Sequence, residues 1–193
     1  MPARHLMACF SLFIVPAAAL ILLFAGTITP LSAGVQESTG NKQYPTRYAT
    51  IFFNTDEDLV HFTRNIGTGL SFFTEDRGKD PRLTAKRVDE LTVRVMKILG
   101  MPIPHLHFSL HLFPEQGDLD GVYAAAASGK KPAPPAWYDD RTKSIAISVE
   151  NVTEGILAHE IVHAVVCSYF GSPPPALTQE ILAEHVDRHL GEE

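Results

Sequence analysis

Residues 157–165 read LAHEIVHAV, in which two histidines bracket a glutamate at the spacing typical of a zinc site. On a helix, His159 and His163 stand one turn apart on the same face, so both imidazoles can bind a single ion. Glu160 points about 100° round the helix from His159, close enough to take a proton from water activated by the metal. Because the surrounding residues are apolar, this helix must be buried, and burying two histidines is unfavourable unless they are paired or coordinated.

A third ligand is needed, since catalytic zinc is held by three protein ligands and keeps one position for water. Glu180 follows His163 after sixteen intervening residues. A turn at 171–175 lets two helices pack side by side and brings this carboxylate to the imidazoles. Glu184, one helical turn beyond Glu180, is predicted to accept the free ring N–H of a ligating histidine. The alternative for both carboxylates is solvated surface charge, and the rival third ligands, predicted to be exposed, are His185 and His189.

The elements that position these residues are predicted from apolar periodicity and from turn residues. Strands are predicted at 48–53, 105–113 and 144–149, and helices at 57–66, 84–99, 119–128, 151–170 and 178–190. The zinc-motif helix is predicted to begin near Asn151 or Thr153 and to end at Gly171. The proline-rich residues 129–137 are predicted to form a loop without regular structure. The fold class is therefore α+β with a mixed or antiparallel sheet.

A second group of histidines lies on one face of the predicted strand at 105–113, namely His105, His107 and His111. Their alternation with Leu and Phe indicates the polar side of a half-buried strand, and a second metal site is the alternative. Cys167 is predicted to be a small buried hydrophobic residue, with a reactive or ligating thiol as the alternative. Because Cys9 is the remaining cysteine and lies in the N-terminal apolar segment, the domain that follows has no internal disulfide.

The first 34 residues differ from the rest, with an almost unbroken apolar run from Leu6 to Ile28 and no acidic residue. Residues 1–34 are predicted to be an export signal cleaved near Ala33, or an uncleaved membrane anchor, because a span takes roughly 20 apolar residues. Residues 35–47 are polar and are predicted to be a tether, and residues 48–193 are predicted to be the globular domain. We therefore expect a periplasmic or secreted protein, or one anchored to the outer face of the cytoplasmic membrane.

The composition excludes nucleic-acid binding as a function. With 193 residues, of which 45% are hydrophobic and 20% charged, the chain can form one globular domain with an apolar core. Its net charge is −6, and it has no run of basic residues beyond Lys130-Lys131. A nucleic-acid partner would need a clustered basic surface, so none is expected.

The sequence HEIVH, followed after sixteen residues by EILAEH, resembles the gluzincin metallopeptidases, in which His-Glu-x-x-His precedes a Glu-x-x-x-acid pair on a later helix. It resembles in particular the small bacterial peptidase-MA-like, or minigluzincin-like, domains, where PALTQEILAEH occupies the place of a P-x-W-x-x-E-G-x-A-E-Y stretch. The resemblance covers about residues 145–189. It departs from the family pattern where the usual Trp, Gly and Tyr are replaced by Leu177, Ile181 and His185. These departures concern substrate handling more than zinc binding.

The resemblance implies a zincin-like fold and a Zn²⁺ cofactor, with Glu160 as the general base and Glu184 as the partner of a ligand histidine. The implied zinc ligands are His159, His163 and Glu180. In this family the strand before the zinc helix forms the outer edge of the sheet and binds extended substrate antiparallel, which assigns that role to residues 144–149; an internal strand is the alternative. The motif contains no oxyanion stabiliser, and Tyr138 and Tyr123 are candidates by position and chemistry alone.

The sequence thus predicts an exported zinc-dependent metallopeptidase of minimal size that hydrolyses peptide bonds in an extended peptide or protein. Water activated by the metal would be deprotonated by Glu160, which then passes the proton to the leaving amine. The alternative is a non-catalytic, zinc-stabilised peptide-binding module, because ligation needs only the two histidines and Glu180.

Overall fold

The computed structural model describes residues 42–67, 80–126 and 132–192. The strands are β1 (Lys42–Pro45), β2 (Ala49–Phe53), β3 (Phe108–Phe113), β4 (Ala136–Asp139) and β5 (Ser144–Ser148). The helices are α1 (Asp56–Asn65), α2 (Pro81–Leu99), α3 (Gln116–Ala126), α4 (Glu154–Phe170) and α5 (Ala176–His189). These elements confirm the predicted α+β class. The predicted export segment at 1–34 lies outside the described residues, and no helix within the described ranges is long and apolar enough to cross a membrane.

The described strands form one mixed sheet in the order β1-β2-β3-β5-β4. Strands β2, β3 and β5 are parallel, while β1 and β4 pair antiparallel at the two edges. The prediction that residues 144–149 form the outer edge is wrong, because β5 pairs with β3 on one side and with β4 on the other. Every residue of β5 is buried, since small side chains alternate with Ile145 and Ile147 and allow both faces to be covered.

Two short strands lie in segments that the sequence predicted to be irregular. Strand β4 begins at the end of the proline-rich stretch 129–137, and it takes the edge position beside α4. Strand β1 lies within the predicted tether at 35–47, so the described sheet already begins at Lys42 and not at residue 48. Edge strands need one partner only and tolerate polar, exposed residues, which makes them a weak signal in a sequence.

Helix α4, which carries the HEIVH motif, begins and ends where the sequence predicted. Its N-cap is Thr153, whose hydroxyl accepts a hydrogen bond from a backbone N–H of the first turn. Gly171 follows the last turn with φ of 71°, a left-handed conformation that glycine adopts without steric cost. Arg94 on α2 pairs with Glu154 in the first turn of α4 and donates to the carbonyl of Leu190 at 3.2 Å. One side chain therefore connects α2 to α4 and to the end of α5, the two helices that carry the candidate ligands.

The main core lies between one face of the sheet and the helices α1, α2, α4 and α5. It includes Ile51, Leu110 and Ile147 from the strands and Phe62, Val88, Leu157 and Ile161 from the helices. Helix α3 covers part of the opposite face through a smaller cluster that includes Phe113, Leu119 and Ala146. Because α4 is buried by the sheet and by its neighbouring helices, only a narrow side of it faces solvent.

The histidines of the 105–113 segment do not form a second metal site. His111 is buried and stacks on Phe52 with 4.7 Å between ring centroids, and its Nδ1 has no hydrogen-bond partner among the described residues. Burial lowers the pKa of His111 to about 4. His107 remains exposed, with Nε2 3.1 Å from the hydroxyl of Thr50. Within the part of the chain that the structure describes, the candidate metal-ligand cluster lies on α4 and α5 instead.

Candidate metal centre

Helices α4 and α5 pack against each other across the turn at 171–175, and this hairpin carries every candidate ligand. The carbonyl of Pro175 accepts hydrogen bonds from the backbone N–H groups of residues 178 and 179, which starts α5 without a side-chain cap. On α5, Ala183 and Val186 are buried. Glu180 therefore lies at the border between the packed side of α5 and solvent.

His159, His163 and Glu180 meet on this hairpin. Nε2 of His159 is 3.4 Å from Oε2 of Glu180, and Nε2 of His163 is 3.7 Å from Oε1 of the same carboxylate. The two imidazole rings are 5.1 Å apart between centroids. One ligand atom from each of the three residues lies within 4.8 Å of the others. The rival ligands His185 and His189 lie outside this cluster; His185 is exposed, as predicted, whereas His189 is partly buried.

The donor atoms fit a zinc ion in type and in spacing. Two imidazole nitrogens and one carboxylate oxygen form a usual ligand set of catalytic zinc, and three ligands leave a fourth position for water. Around a tetrahedral ion with bonds of about 2.0–2.1 Å, ligand atoms lie about 3.4 Å from one another. The N···O separations of 3.4 and 3.7 Å, which involve the two different oxygens of Glu180, are close to this value, and the three ligand atoms all lie within 4.8 Å of one another.

The Nδ1 atoms of both histidines are held by residues of α5. Nδ1 of His159 is 3.4 Å from Oδ2 of Asp187. Nδ1 of His163 is 3.0 Å from Oε1 of Gln179, whose Nε2 donates to the carbonyl of Pro174 at 2.8 Å. When each Nδ1–H donates to its oxygen, each Nε2 lone pair is free to bind a metal. Burial also lowers the pKa of His163, which favours the neutral imidazole that metals bind.

Glu184 does not have the position predicted for it. Its side chain is exposed and pairs with Arg188 at 3.2 Å, whereas Asp187 lies beside His159. Round the axis of α5, Asp187 is about 20° from Glu180 toward the buried side, and Glu184 is about 40° from it toward solvent. The roles of Asp187 and Gln179 were not predicted from the sequence. Their phase on the helix relative to Ala183 and Val186 is the signal that could have identified them.

Glu160 lies beside the ligands without joining them. The residue is only 9% exposed. Burial raises the pKa of Glu160 to about 7, and Glu180 adds to the increase, while His159 and a hydrogen bond from the backbone of Tyr138 oppose it. A carboxyl group with a pKa near neutrality can both accept and release a proton at physiological pH, as a general base must.

The two candidate tyrosines lie on opposite faces of the sheet. Tyr138 packs against the main core on the α4 side, and its backbone forms the hydrogen bond to Glu160. Its hydroxyl donates to Oδ1 of Asp140 at 3.4 Å, and burial raises the pKa of this phenol. Tyr123 packs edge-on against Trp137 in the smaller cluster, with 5.0 Å between ring centroids. The structure therefore brings Tyr138 to the site, mainly through its backbone, and does not bring Tyr123 there.

Cys167 is buried beside the site, in agreement with its prediction as a small hydrophobic residue. Its Sγ is 3.6 Å from Oε1 of Gln179, the residue that holds His163. Burial, reinforced by the charge of Asp140, raises the pKa of the Cys167 thiol to about 11. The thiol is therefore protonated at physiological pH, whereas nucleophilic and metal-binding cysteines act as thiolates.

A cavity of about 340 Å³ opens beside His159 and Glu160. Its other walls include residues that precede or begin β4 and residues from the hairpin helices: Pro134, Pro135, Ala136, Ile156, Asp187 and Leu190. Most of these side chains are apolar. The ligand cluster thus borders a largely apolar recess that is large enough for a side chain of a bound molecule.

Comparison of the chain with protein-family models, curated proteins and solved structures finds no match. A function for the site therefore has to be inferred from its own residues and from their geometry.

Proposed function

We propose that this protein is an exported zinc-dependent metallopeptidase with a zincin-like fold. One observation carries the proposal: two histidines of one helix and a carboxylate of the next converge, and a buried glutamate lies next to them. The resemblance of HEIVH and EILAEH to the gluzincin peptidases supports the same assignment.

Each residue of the site has a defined task in this proposal. The residues that hold the metal are His159, His163 and Glu180. Bound zinc supplies a Lewis acid, which activates water and polarises the carbonyl group of a peptide bond. The carboxylate of Glu160 accepts the proton of the attacking water and delivers it to the leaving amine nitrogen. Asp187 and Gln179 keep the ligand imidazoles in the required tautomer.

We assign peptide binding to β4, the edge strand beside α4. An unpaired strand edge can accept an extended peptide as a further strand, which supplies backbone hydrogen bonds without selecting side chains. The hydrogen bond between the backbone of Tyr138 and Glu160 supports this assignment, because it brings the β4 edge and the proposed base into contact.

Export is a separate part of the proposal and rests on the apolar run from Leu6 to Ile28 and on the polar residues that follow it. We expect the protein in an exported soluble fraction with a new N-terminus near Ala33, or in the membrane fraction with Met1 retained. N-terminal sequencing of both fractions distinguishes these outcomes. A soluble cytoplasmic product that keeps Met1 would contradict export.

The peptidase assignment is tested with the zinc-loaded protein and a peptide library. We expect the wild type to cleave peptides, and Glu160→Gln to keep its zinc but to lose cleavage by at least about 100-fold, as expected when a general base is removed. Zinc content measured on the same samples separates lost chemistry from lost metal. Val93→Ala, a change on an exposed side chain of α2 away from the metal centre and the β4 edge, is the matched control for handling and purity.

A non-catalytic peptide-binding module is the second candidate. The observation in its favour is that the hydroxyl of Tyr138, a candidate transition-state stabiliser, donates to Asp140. This module would bind zinc and peptides but cleave none of the library. Failure of the zinc-loaded wild type to cleave any peptide would therefore replace the peptidase with this candidate.

A further inference from the structure

One side of helix α4 carries two apolar residues and the two histidines of the metal centre. Ile156, His159 and His163 are three and four residues apart, and Phe170 lies seven residues further on, so all four share one side of the helix. Ile156 lines the cavity beside the metal centre. Phe170 is 53% exposed. The two histidines are therefore flanked along the helix by one apolar residue on each side.

Exposed apolar side chains concentrate at the turn between α4 and α5. Among the described residues, the large hydrophobic side chains that are exposed are Val93, Tyr169, Phe170, Leu177 and Ile181, and all but Val93 lie around this turn. Leu177 is 72% exposed and Ile181 55%. We call Phe170, Leu177 and Ile181 the apolar shelf. Apolar surface concentrated in this way marks a binding surface more often than scattered residues do.

The apolar shelf and the cavity lie on opposite sides of the metal centre. Along α4, the distance from Ile156 in the cavity wall to Phe170 in the shelf is about 21 Å, at 1.5 Å per residue. An extended peptide covers this distance with about six residues, at about 3.3 Å per residue. A peptide whose scissile bond lies near Glu160 therefore reaches both apolar surfaces at once.

Carboxylate side chains border the cleft and the shelf. Glu160, Glu180 and Asp187 border the cleft, and Glu184 lies next to the shelf with Arg188 as its partner. Carboxylates in the middle of the surface argue against burial of this surface in a contact with a second copy of the chain or in a bilayer. The centres of protein contacts and the interior of a bilayer are both depleted of charged side chains. They are compatible with a polypeptide whose backbone passes the metal and whose side chains reach the apolar surfaces.

We propose that the cleft selects extended polypeptides with an apolar side chain on each side of the metal centre, about six residues apart. This inference rests on the proposed function and names the substrate class of the same site. Ile156 and the cavity receive one apolar side chain, and Phe170 and Leu177 of the shelf receive the other.

The test measures peptide binding to the zinc-loaded full chain carrying Glu160→Gln, so that binding is read without cleavage. The probes are fluorescein-labelled peptides that are identical except at two positions about six residues apart. These two positions hold Leu and Leu, Leu and Ser in either order, or Ser and Ser. Fluorescence anisotropy gives each dissociation constant. We expect the Leu–Leu probe to bind at least about tenfold tighter than the Ser–Ser probe.

Variants identify the surface that each Leu occupies. Ile156→Ser should abolish the preference for Leu at one position only, and the double variant Phe170→Ser, Leu177→Ser should abolish it at the other. Val93→Ser, which removes an exposed side chain of similar character on α2, is the matched control and should preserve both preferences. Zinc content should equal that of the parent protein in every variant.

Three results would overturn the inference: equal affinity for the Leu–Leu and Ser–Ser probes, no binding of any probe, or equal loss of preference in the Val93→Ser control. These results are distinguishable from failure of the proposed function. If the Glu160→Gln protein shows the two preferences but the wild type cleaves no peptide, the peptidase assignment fails and the selectivity stands. If the wild type cleaves Leu–Leu and Ser–Ser peptides with equal kcat/KM, the selectivity fails and the peptidase assignment stands.

Discussion

The two histidines of α4 lie on one face of their helix, and the histidines of the β3 segment were predicted to lie on one face of their strand. Of these two groups, only the α4 pair lies next to a carboxylate. Glu180 of α5 lies 3.4 Å from one imidazole of α4 and 3.7 Å from the other. On the β3 segment, His111 is buried against Phe52, and His107 contacts the hydroxyl of Thr50. The described residues around β3 contain no group of metal ligands.

The difference shows that a shared face alone does not assemble a cluster of candidate metal ligands. The α4 histidines have oxygen acceptors at Nδ1 and a carboxylate at Nε2, so both nitrogens of each ring are used. His111 has no partner for its Nδ1 within the described part of the chain, and burial keeps the ring neutral. The partner element therefore decides whether a histidine becomes a ligand or a buried neutral side chain.

The largest effect should follow from removing the carboxylate that distinguishes the two regions. Glu180→Ala leaves α4 with two histidines and no third ligand, so we expect the protein to lose its zinc during dialysis. Its melting temperature should fall in zinc-containing buffer, because the metal stabilises only the folded state. His185→Ala, an exposed histidine on the same helix, should retain zinc and melting temperature. Retained zinc in Glu180→Ala together with lost zinc in His185→Ala would refute the ligand assignment.

The hydrogen-bond partners of the ligand histidines should have the next largest effect. Asp187→Ala and Gln179→Ala each free an Nδ1, and we expect zinc affinity to fall by about 10–100-fold in either variant. Zinc affinity is measured by competition with a chelator of known affinity. Glu184→Ala removes a carboxylate from the same helix that pairs only with exposed Arg188, and it should change zinc affinity by less than about twofold. The opposite order of Asp187→Ala and Glu184→Ala would restore Glu184 to the role predicted from the sequence.

The buried histidine of β3 should have a smaller effect, limited to acidic pH. Burial holds the pKa of His111 at about 4, well below its ordinary value of about 6.5. Between these values the unfolded chain binds more protons than the folded one, so His111 lowers stability as the pH falls from 6.5 toward 4. At pH 5 this amounts to about 2 kcal/mol, which His111→Phe should recover.

Denaturant unfolding of the metal-free protein at pH 7 and pH 5 checks this prediction. The difference in unfolding free energy between the two pH values should be smaller by about 2 kcal/mol in His111→Phe than in the wild type. His107→Gln, on the same segment but exposed, is the matched control and should behave as the wild type. An unchanged difference in His111→Phe would mean that protonation of this histidine does not oppose folding.

Much of the fold could be predicted from the sequence because its signals are local. The alternation in 105–113 and the apolar spacing in 84–99 predicted β3 and α2, and Gly171 predicted the end of α4. The short strands β1 and β4 were not predicted. Each has four residues, lies at a sheet edge and carries exposed or half-buried side chains, so no apolar pattern distinguishes it from a loop.

The sequence by itself determined which residues share a face within one element. His159 and His163 on α4, and Glu180 on the helix after the turn, follow from helical periodicity and from the position of the turn residues. Tertiary structure alone decided which elements meet. It put β4 at the edge where 144–149 was expected and Asp187 beside His159 where Glu184 was expected. It also left Nδ1 of His111 without a hydrogen-bond partner among the described residues. Periodicity carries no information about neighbours distant in the chain, because those contacts depend on strand order and on the rotation of each helix about its axis.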